Sequence, residues 1–169
     1  MPLPDAARDY LLKALDGTPV VLSALLAGRP DDDAVWDRRP DPDRFSLREA
    51  VAHLADWEPI WLERVTQVRI GSHPFLPSVD EGALAVANGY ESAVPSESLR
   101  RFVEGRKACV DCLRTVGADE WDLSCDREFV GELTLQQLAY YILAHDAYHL
   151  RQAADFAGLM ADRAINRQS

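Results

Sequence analysis

Four long segments of this chain place their apolar residues at helical spacing, and no segment of useful length alternates apolar and polar residues as a strand does. These helical segments span residues 5–27, 46–70, 96–115 and 134–158. The second opens with a capping box formed by Ser46 and Glu49, and the fourth opens with another, formed by Thr134 and Gln137. The pattern predicts an all-α fold, and four helices of this length pack most simply as a four-helix bundle.

The connection between the second and third segments, residues 71–95, is long for a helical bundle. It can run back along a 20-residue helix, about 30 Å, so the second and third long helices have room to lie parallel. Within this connection, the pattern of residues 80–90 predicts a short extra helix. Pro59 lies inside the second segment and removes a backbone donor there, so we expect a bend just after His53.

Length and charge limit the classes of protein that this chain can represent. Its 169 residues, 47% of them hydrophobic, suffice for one globular domain over residues 1–169. The formal net charge of -10, with the basic residues scattered, disfavours binding to nucleic acid or to anionic membranes. The sequence has no apolar run long enough to span a bilayer, and its N-terminus lacks the pattern of a signal peptide. We therefore expect a cytoplasmic protein.

Three cysteines, Cys109, Cys112 and Cys125, are an odd and sparse set that suits a reducing compartment better than a disulfide framework. Cys109 and Cys112 form a C-x-x-C, the spacing of half a zinc site or of a redox pair. The sequence has neither the second C-x-x-C of a zinc ribbon nor the strand context of a redox fold. We therefore interpret these cysteines as buried thiols that pack like small hydrophobic side chains.

Two histidines of the fourth segment, His145 and His149, are four residues apart, so a helix places them on one face, roughly 6 Å apart along its axis. Together with Gln152 they interrupt an apolar stripe on this helix. The apolar members of the stripe are Leu138, Ile142, Phe156 and Leu159. Burying an unpaired imidazole or amide costs about 1 to 3 kcal/mol, so these polar groups need a partner in the core.

A third histidine, His53, interrupts the apolar stripe of the second segment in the same way, and both stripes face the interior of the bundle. Neutral imidazole is a good ligand for zinc, nickel and similar divalent ions. Three imidazoles leave at least one coordination position open, as a catalytic site requires and a closed structural site does not. The sequence therefore predicts a zinc or nickel site formed by His53, His145 and His149.

Each of these residues also has a simpler explanation. A single buried histidine such as His53 is more often a hydrogen-bonded core residue than a ligand. Asp146 occupies the place of glutamate in the H-E-x-x-H of zinc peptidases, but aspartate is shorter and the chain offers no strand to bind an extended peptide. Asp56, Asp146 and Gln152 are placed to support an imidazole, although a solvated charge or an ordinary buried amide explains them equally well. His73 lies in a loop and is interpreted as solvated.

Two blocks of the sequence resemble the DinB/YfiT-like superfamily of metalloenzymes. They are FSLREAVAHLADWE, residues 45–58, and residues 131–152, which begin GELT and end HDAYHLRQ. Together the two blocks carry the family's pattern, with one histidine on the second helix and, on the last long helix, two histidines followed by glutamine. The third helix has the family-like Phe102 and Arg106. The resemblance covers most of the chain and implies an up-down-down-up bundle, a homodimer, and a divalent metal on the three histidines.

The resemblance also implies a function. Family members with a known role are similar to thiol-dependent transferases, in which the metal binds and ionises a low-molecular-weight thiol, such as bacillithiol or mycothiol, for transfer to an electrophile. The leading hypothesis is therefore a metal-dependent thiol transferase whose partners are a small-molecule thiol and an electrophile. A hydrolase that uses metal-bound water comes second, because an open metal position lowers the pKa of thiol and water alike. A non-catalytic metal-binding bundle with a stress-response or storage role is the third hypothesis.

Overall fold

The computed structural model describes residues 4–39 and 41–156, and this part of the chain is mostly helical. Its helices are α1 (Asp5–Leu26), α2 (Leu47–Ile70), α3 (Glu81–Ala87), α4 (Pro95–Arg114) and α5 (Leu135–Phe156). Its strands are β1 (Phe75–Leu76), β2 (Ser124–Arg127) and β3 (Gly131–Thr134). All four predicted long helices are present. The predicted end of the fourth helix at residue 158, and Leu159 of its stripe, lie outside the described residues.

The capping boxes predicted from the sequence are confirmed at the starts of α2 and α5. The Ser46 hydroxyl accepts a hydrogen bond from the Glu49 amide at 3.3 Å, and the Glu49 carboxylate accepts one from the Ser46 amide at 2.6 Å. Thr134 and Gln137 exchange the equivalent hydrogen bonds at 3.2 and 2.8 Å. α2 runs as one helix through Pro59, so the proline does not end it. The bend there stays a prediction.

The α2 helix contacts α4 and α5 in opposite directions. Its contacts with the α4 segment follow the same residue order along both segments. They join Arg48 to the Ala93 carbonyl, Asp56 to Arg101, and Arg69 to Thr115. The contacts of α2 and of Phe45 just before it with α5 follow the reverse residue order. They join Phe45 to Gln152, His53 to His145, and Trp61 to Tyr141. Thus α2 is parallel to α4 and antiparallel to α5, while α1 packs against both α4 and α5.

A small sheet, which the sequence analysis did not predict, lies in the connections between the helices. β2 is its central strand and pairs parallel with β1 and antiparallel with β3. The strands are two to four residues long, too short for alternation to be recognised in the sequence. The β2–β3 turn includes Phe129 and Gly131 in left-handed backbone conformations, with φ of 62° and 92°. The expectation of a purely helical chain is corrected to a mostly helical one.

Apolar side chains from the long helices fill the interior in two clusters. One surrounds Trp61 and Val65 of α2, and the other surrounds Leu22 of α1 and Phe102 of α4. Removing such side chains from water supplies the main driving force for packing the helices together. None of the described helices combines the length and the apolar character that crossing a bilayer demands.

Two of the cysteines behave as the sequence predicts. Cys109 and Cys125 are buried, Cys112 is half-buried, and all three are free thiols. Burial raises the pKa of the Cys109 thiol to about 12, so it stays protonated and unreactive at neutral pH. Cys112 instead lies 3.8 Å from a guanidinium nitrogen of Arg69.

A buried ion cluster joins three of the long helices. Arg106 of α4 donates to the Glu58 carboxylate of α2 at 2.6 and 3.0 Å, and to the Asp146 carboxylate of α5 through both terminal nitrogens. The side chains of all three residues are at most 1% exposed. A Cβ atom on Gly105 would lie 2.4 Å from the Glu58 Cβ, so α4 can approach α2 this closely only with glycine there.

The cluster contains two carboxylates and one guanidinium, and the pKa values of the two carboxylates shift in opposite directions. Burial raises the pKa of Glu58, and the hydrogen bonds from Arg106 only partly oppose this. Burial acts in the same direction on Asp146, but the hydrogen bonds and charge of Arg106, together with the nearby His145 imidazole, outweigh it and the pKa of Asp146 is lowered. The guanidinium is therefore the group that keeps this interior charge compensated.

We predict that Arg106→Ala destabilises the fold by about 3 to 5 kcal/mol, because it leaves two buried carboxylates without a counter-ion. Urea unfolding followed by circular dichroism measures the change. Arg100→Ala is the matched control on the same helix, since Arg100 pairs with Glu97 and Glu104 on the exposed surface and should matter little. Equal urea midpoints for wild type and Arg106→Ala would contradict the role of the cluster.

Candidate metal centre

His53, His145 and His149 come together where α2 crosses α5. One ligand atom from each ring can be chosen so that the three atoms lie within 4.8 Å of one another. The ring centroids are 4.6 to 5.1 Å apart. His53 is 1% exposed and His149 is 6% exposed, and the His145 side chain is 14% exposed. The structure thus brings the three sequence-predicted ligands to a single point.

The local sequence explains this convergence. His145 and His149 are one turn apart on α5, so their rings lie one above the other on one face of that helix. His53 lies on the antiparallel α2, one turn before Trp57. The Trp57 ring lies 5.8 Å from the His53 ring and 5.4 Å from the His145 ring, which fills the space beside the histidines with an apolar wall.

The donor atoms of the cluster fit a divalent ion. The Nε2 atoms of His53 and His145 lie 3.0 Å apart, close to the separation of two nitrogens that share an ion at about 2.0 to 2.1 Å. The Nδ1 atoms of the same two residues are buried without a hydrogen-bond partner among the described residues. An ion bound through Nε2 leaves each Nδ1 free to carry the proton of a neutral imidazole ligand.

The protonation states also favour metal binding. Burial lowers the pKa of His53, and together with the nearby imidazoles of His149 and His145 it brings that pKa to about 2. Burial likewise lowers the pKa of His149 to about 4, with His145 adding to the effect. Both rings are therefore neutral at physiological pH, which is the form that binds a metal.

Gln152 orients one of the three rings. Its Oε1 atom lies 3.1 Å from His149 Nδ1, and its own amide nitrogen donates to the Phe45 carbonyl at 3.2 Å. The second hydrogen bond fixes which end of the amide faces the imidazole, so Nδ1 of His149 carries the proton and Nε2 is left free as a ligand. From the sequence, Gln152 was expected either to support an imidazole or to be an ordinary buried amide, and its role as a metal-site support stays a prediction.

Asp146 and Asp56, the other two candidates for such support, make different contacts in the structure. The Asp146 carboxylate is 4.0 Å from His145 Nδ1, beyond hydrogen-bond distance, and is held by Arg106. Asp56 accepts hydrogen bonds from Asn88 and Arg101. Because each carboxylate is occupied by these partners, neither supports an imidazole directly. The engagement of Asp146 also counts against a peptidase-like role for it.

A cavity of about 500 Å³ opens onto the histidine cluster. Its remaining walls come mainly from the segment before α2, from the start of α3 and from the exposed side of α5. They are Asp43, Arg44, Phe45, Glu81, Gly82, Tyr148 and Gln152. Arg44 donates to the Tyr148 hydroxyl at 2.5 Å, which ties the segment before α2 to α5 beside the histidines. A second cavity, of about 650 Å³, shares Arg44, Tyr148 and Gln152 with the first.

Apart from Gln152, these lining residues were not singled out from the sequence. Phe45 directly precedes the N-cap of α2, and Tyr148 directly precedes His149. This adjacency is the sequence signal that could have identified them. No such sequence signal marks Arg44, because its position depends on how the loop before α2 folds back. His73, set aside as a loop residue, contacts Ser124 and Asp126 of β2 at 2.8 and 3.1 Å.

The fold and the histidine cluster together define a helical-bundle protein with a site suited to a divalent metal. A family model of the DinB superfamily matches residues 5–153, nearly the whole chain, and the chain therefore belongs to that superfamily. Among solved structures it is similar to YfiT from Bacillus subtilis, described as a probable metal-dependent hydrolase with an unusual four-helix bundle topology. The TM-score is 0.83 at 20% identity, over 94% of this chain and 90% of YfiT. No curated protein matches the chain.

We predict that Gln152→Leu weakens Zn²⁺ binding about 10-fold to 100-fold, because His149 loses the acceptor that holds its proton on Nδ1. Competition for Zn²⁺ with a chromophoric chelator measures the affinity. Gln67→Leu is the control, since the Gln67 side chain donates to Glu63 one turn earlier on α2 and does not line the cavity at the histidines. If Gln152→Leu binds Zn²⁺ as tightly as wild type and Gln67→Leu do, the amide does not support a ligand.

Proposed function

We propose that this chain is a divalent-metal-dependent enzyme that holds its ion with His53, His145 and His149. The observation that carries the proposal is the convergence of three imidazoles from two helices, with donor atoms within 4.8 Å of one another. Membership of the DinB superfamily is consistent with it. Imidazole ligands suit zinc or nickel, and three protein ligands leave a coordination position for a substrate.

An ion bound in such a site lowers the pKa of a thiol or a water molecule that coordinates it. The protein's residues prepare the surroundings. Gln152 keeps Nε2 of His149 available, and the indole rings of Trp57 and Trp61 lie within 6 Å of the His145 ring and exclude water from that side. Low polarity around the nucleophile strengthens every electrostatic interaction made there.

The reaction that we propose is transfer of a small-molecule thiol to a small electrophile. The thiol gives up its proton, and its sulfur bonds to the electrophilic carbon as the leaving group departs. A cavity of about 500 Å³ is within the size range of small-molecule sites and supports this choice of partners. Hydrolysis by an activated water is the second candidate, and the description of YfiT as a probable metal-dependent hydrolase favours it. A non-catalytic metal-binding bundle is the third.

The family resemblance also leads us to propose an up-down-down-up helix order, a homodimer and a cytoplasmic location. The helix order is supported by the parallel contacts of α2 with α4 and the antiparallel contacts of α2 with α5. We further propose that neither nucleic acid nor a membrane is a partner, because the net charge of -10 repels both phosphate and anionic lipid.

We predict that His145→Ala weakens Zn²⁺ binding by at least about 100-fold, since loss of a ligand exceeds the effect of losing its support. Metal content of the purified protein and chelator competition are the measurements. His73→Ala is the control, because His73 lies at the sheet and outside the cluster. Equal and negligible metal in wild type and both variants would reject the proposed site.

The reaction is tested by incubating metal-loaded protein with a model electrophile and a panel of cellular thiols, and separately with model esters and amides. We expect thiol consumption that wild type and His73→Ala support and that His145→Ala does not. Cleavage of an ester or amide without consumption of any thiol would contradict thiol transfer and establish hydrolysis. Metal binding without turnover in either assay would establish the non-catalytic alternative.

A further inference from the structure

Two arginines near the histidine cluster are buried without an anionic partner. Arg64 of α2 is 4% exposed and Arg127 of β2 is 8% exposed. No carboxylate in the described part of the chain forms an ion pair with either guanidinium. Arg64 donates one hydrogen bond, to the Pro77 carbonyl at 2.7 Å, and the carboxylate of the adjacent Glu63 is hydrogen-bonded to Gln67 instead. A buried charge without a counter-ion is costly, so this arrangement requires an explanation.

Aromatic rings hold the two guanidinium groups in place. The Arg64 guanidinium carbon lies 5.2 and 5.3 Å from the ring centroids of Trp57 and Trp61, and that of Arg127 lies 4.2 Å from the Tyr141 ring. Such stacking is favourable, but it does not neutralise a positive charge. Burial lowers the pKa of Arg64 and the charge of Arg127 adds to this effect, which brings the pKa to about 10, so the two cations are close enough to repel each other.

Four polar atoms on the two arginines and on the indoles that Arg64 approaches lack a partner among the described residues, and all four are donors. Trp57 Nε1, Trp61 Nε1, Arg64 Nη1 and Arg127 Nε are buried, and none has an acceptor within the described ranges. Indole and guanidinium nitrogens can only donate. Trp57, Trp61 and Arg64 follow one another at helical spacing on one face of α2. Unpaired donors combined with two positive charges form an environment complementary to an oxyanion.

We propose that Arg64 and Arg127 form a subsite for the oxyanion group, carboxylate or phosphate, of a small molecule. The planar fork of arginine binds either group through two parallel hydrogen bonds, and the indole N–H groups of Trp57 and Trp61 can add neutral donors. Tyr141, which stacks on Arg127, is 37% exposed, so the subsite borders the surface on that side.

The subsite shares a wall with the histidine cluster. The His145 ring lies 5.4 and 5.7 Å from the Trp57 and Trp61 rings, the same two rings that Arg64 approaches. A single layer of indole rings therefore separates the unpaired cations from the candidate ligands. This step rests on the proposed function: the small anionic molecule bound by the arginines lies on the opposite side of the indole layer from the histidines, adjacent to the proposed metal centre.

Isothermal titration calorimetry with inorganic phosphate and with succinate tests the subsite. Both probes are titrated into the protein as purified and into the same protein after chelator treatment. We expect binding that is independent of chelation and that falls at least about tenfold in Arg64→Met and in Arg127→Met. Arg151→Met is the matched control, because exposed Arg151 lines the second cavity, whose walls include neither Arg64 nor Arg127. The probe that binds more tightly shows whether carboxylate or phosphate is preferred.

A thermal unfolding series keeps the test decisive if a variant folds poorly. We expect phosphate or succinate to raise the melting temperature of wild type and of Arg151→Met but not of Arg127→Met. Three results would overturn the subsite: no binding of either probe to wild type, equal binding to all variants, or binding that chelation or Arg151→Met abolishes. Because chelated protein is part of the design, failure of the subsite is distinguishable from failure of the metal site.

Discussion

The structure depends on one buried ion cluster, in which Arg106 of α4 bridges Glu58 of α2 and Asp146 of α5. A guanidinium and two carboxylates withdrawn from water are tolerable only when their hydrogen bonds are made with good geometry, so the cluster admits few relative positions of the three helices. Asp146 is the immediate neighbour of His145, and Glu58 follows His53 by little more than one turn. The interaction that fixes the helices therefore also fixes where the imidazoles meet, and Gly105 supplies the close approach that it needs.

The α2 helix carries most of the chemistry that this account assigns. Along one of its faces lie a histidine, two tryptophans and an arginine, namely His53, Trp57, Trp61 and Arg64. Two buried arginines differ in their partners: Arg106 forms ion pairs with two carboxylates, whereas the acceptor that the described residues offer Arg64 is a carbonyl. Stability explains Arg106, because its charge holds helices together. It does not explain Arg64, whose unpaired charge adjoins the indole wall of the histidine cluster, and ligand binding accounts for that arrangement.

The long helices and the three histidines were predictable because both depend on local periodicity. Apolar spacing and the capping boxes at Ser46 and Thr134 define helices from neighbouring residues alone, and His145 and His149 fall on one face as soon as the helix is accepted. The three-stranded sheet was not predictable, since its pairing joins short segments far apart in sequence. The partners of Asp146 and Asp56 were hidden for the same reason: which cation reaches a carboxylate depends on helix packing, which periodicity does not determine.

The central claim is that His53, His145 and His149 share one divalent ion. Its most direct test is anomalous diffraction, at the absorption edge of the bound metal, from crystals of the protein as purified or soaked in Zn²⁺. The account predicts one strong anomalous peak coordinated by a nitrogen from each of the three rings, at about 2.0 to 2.1 Å for zinc. A peak elsewhere on the protein, a peak that any of the three imidazoles fails to reach, or no peak after soaking would contradict it.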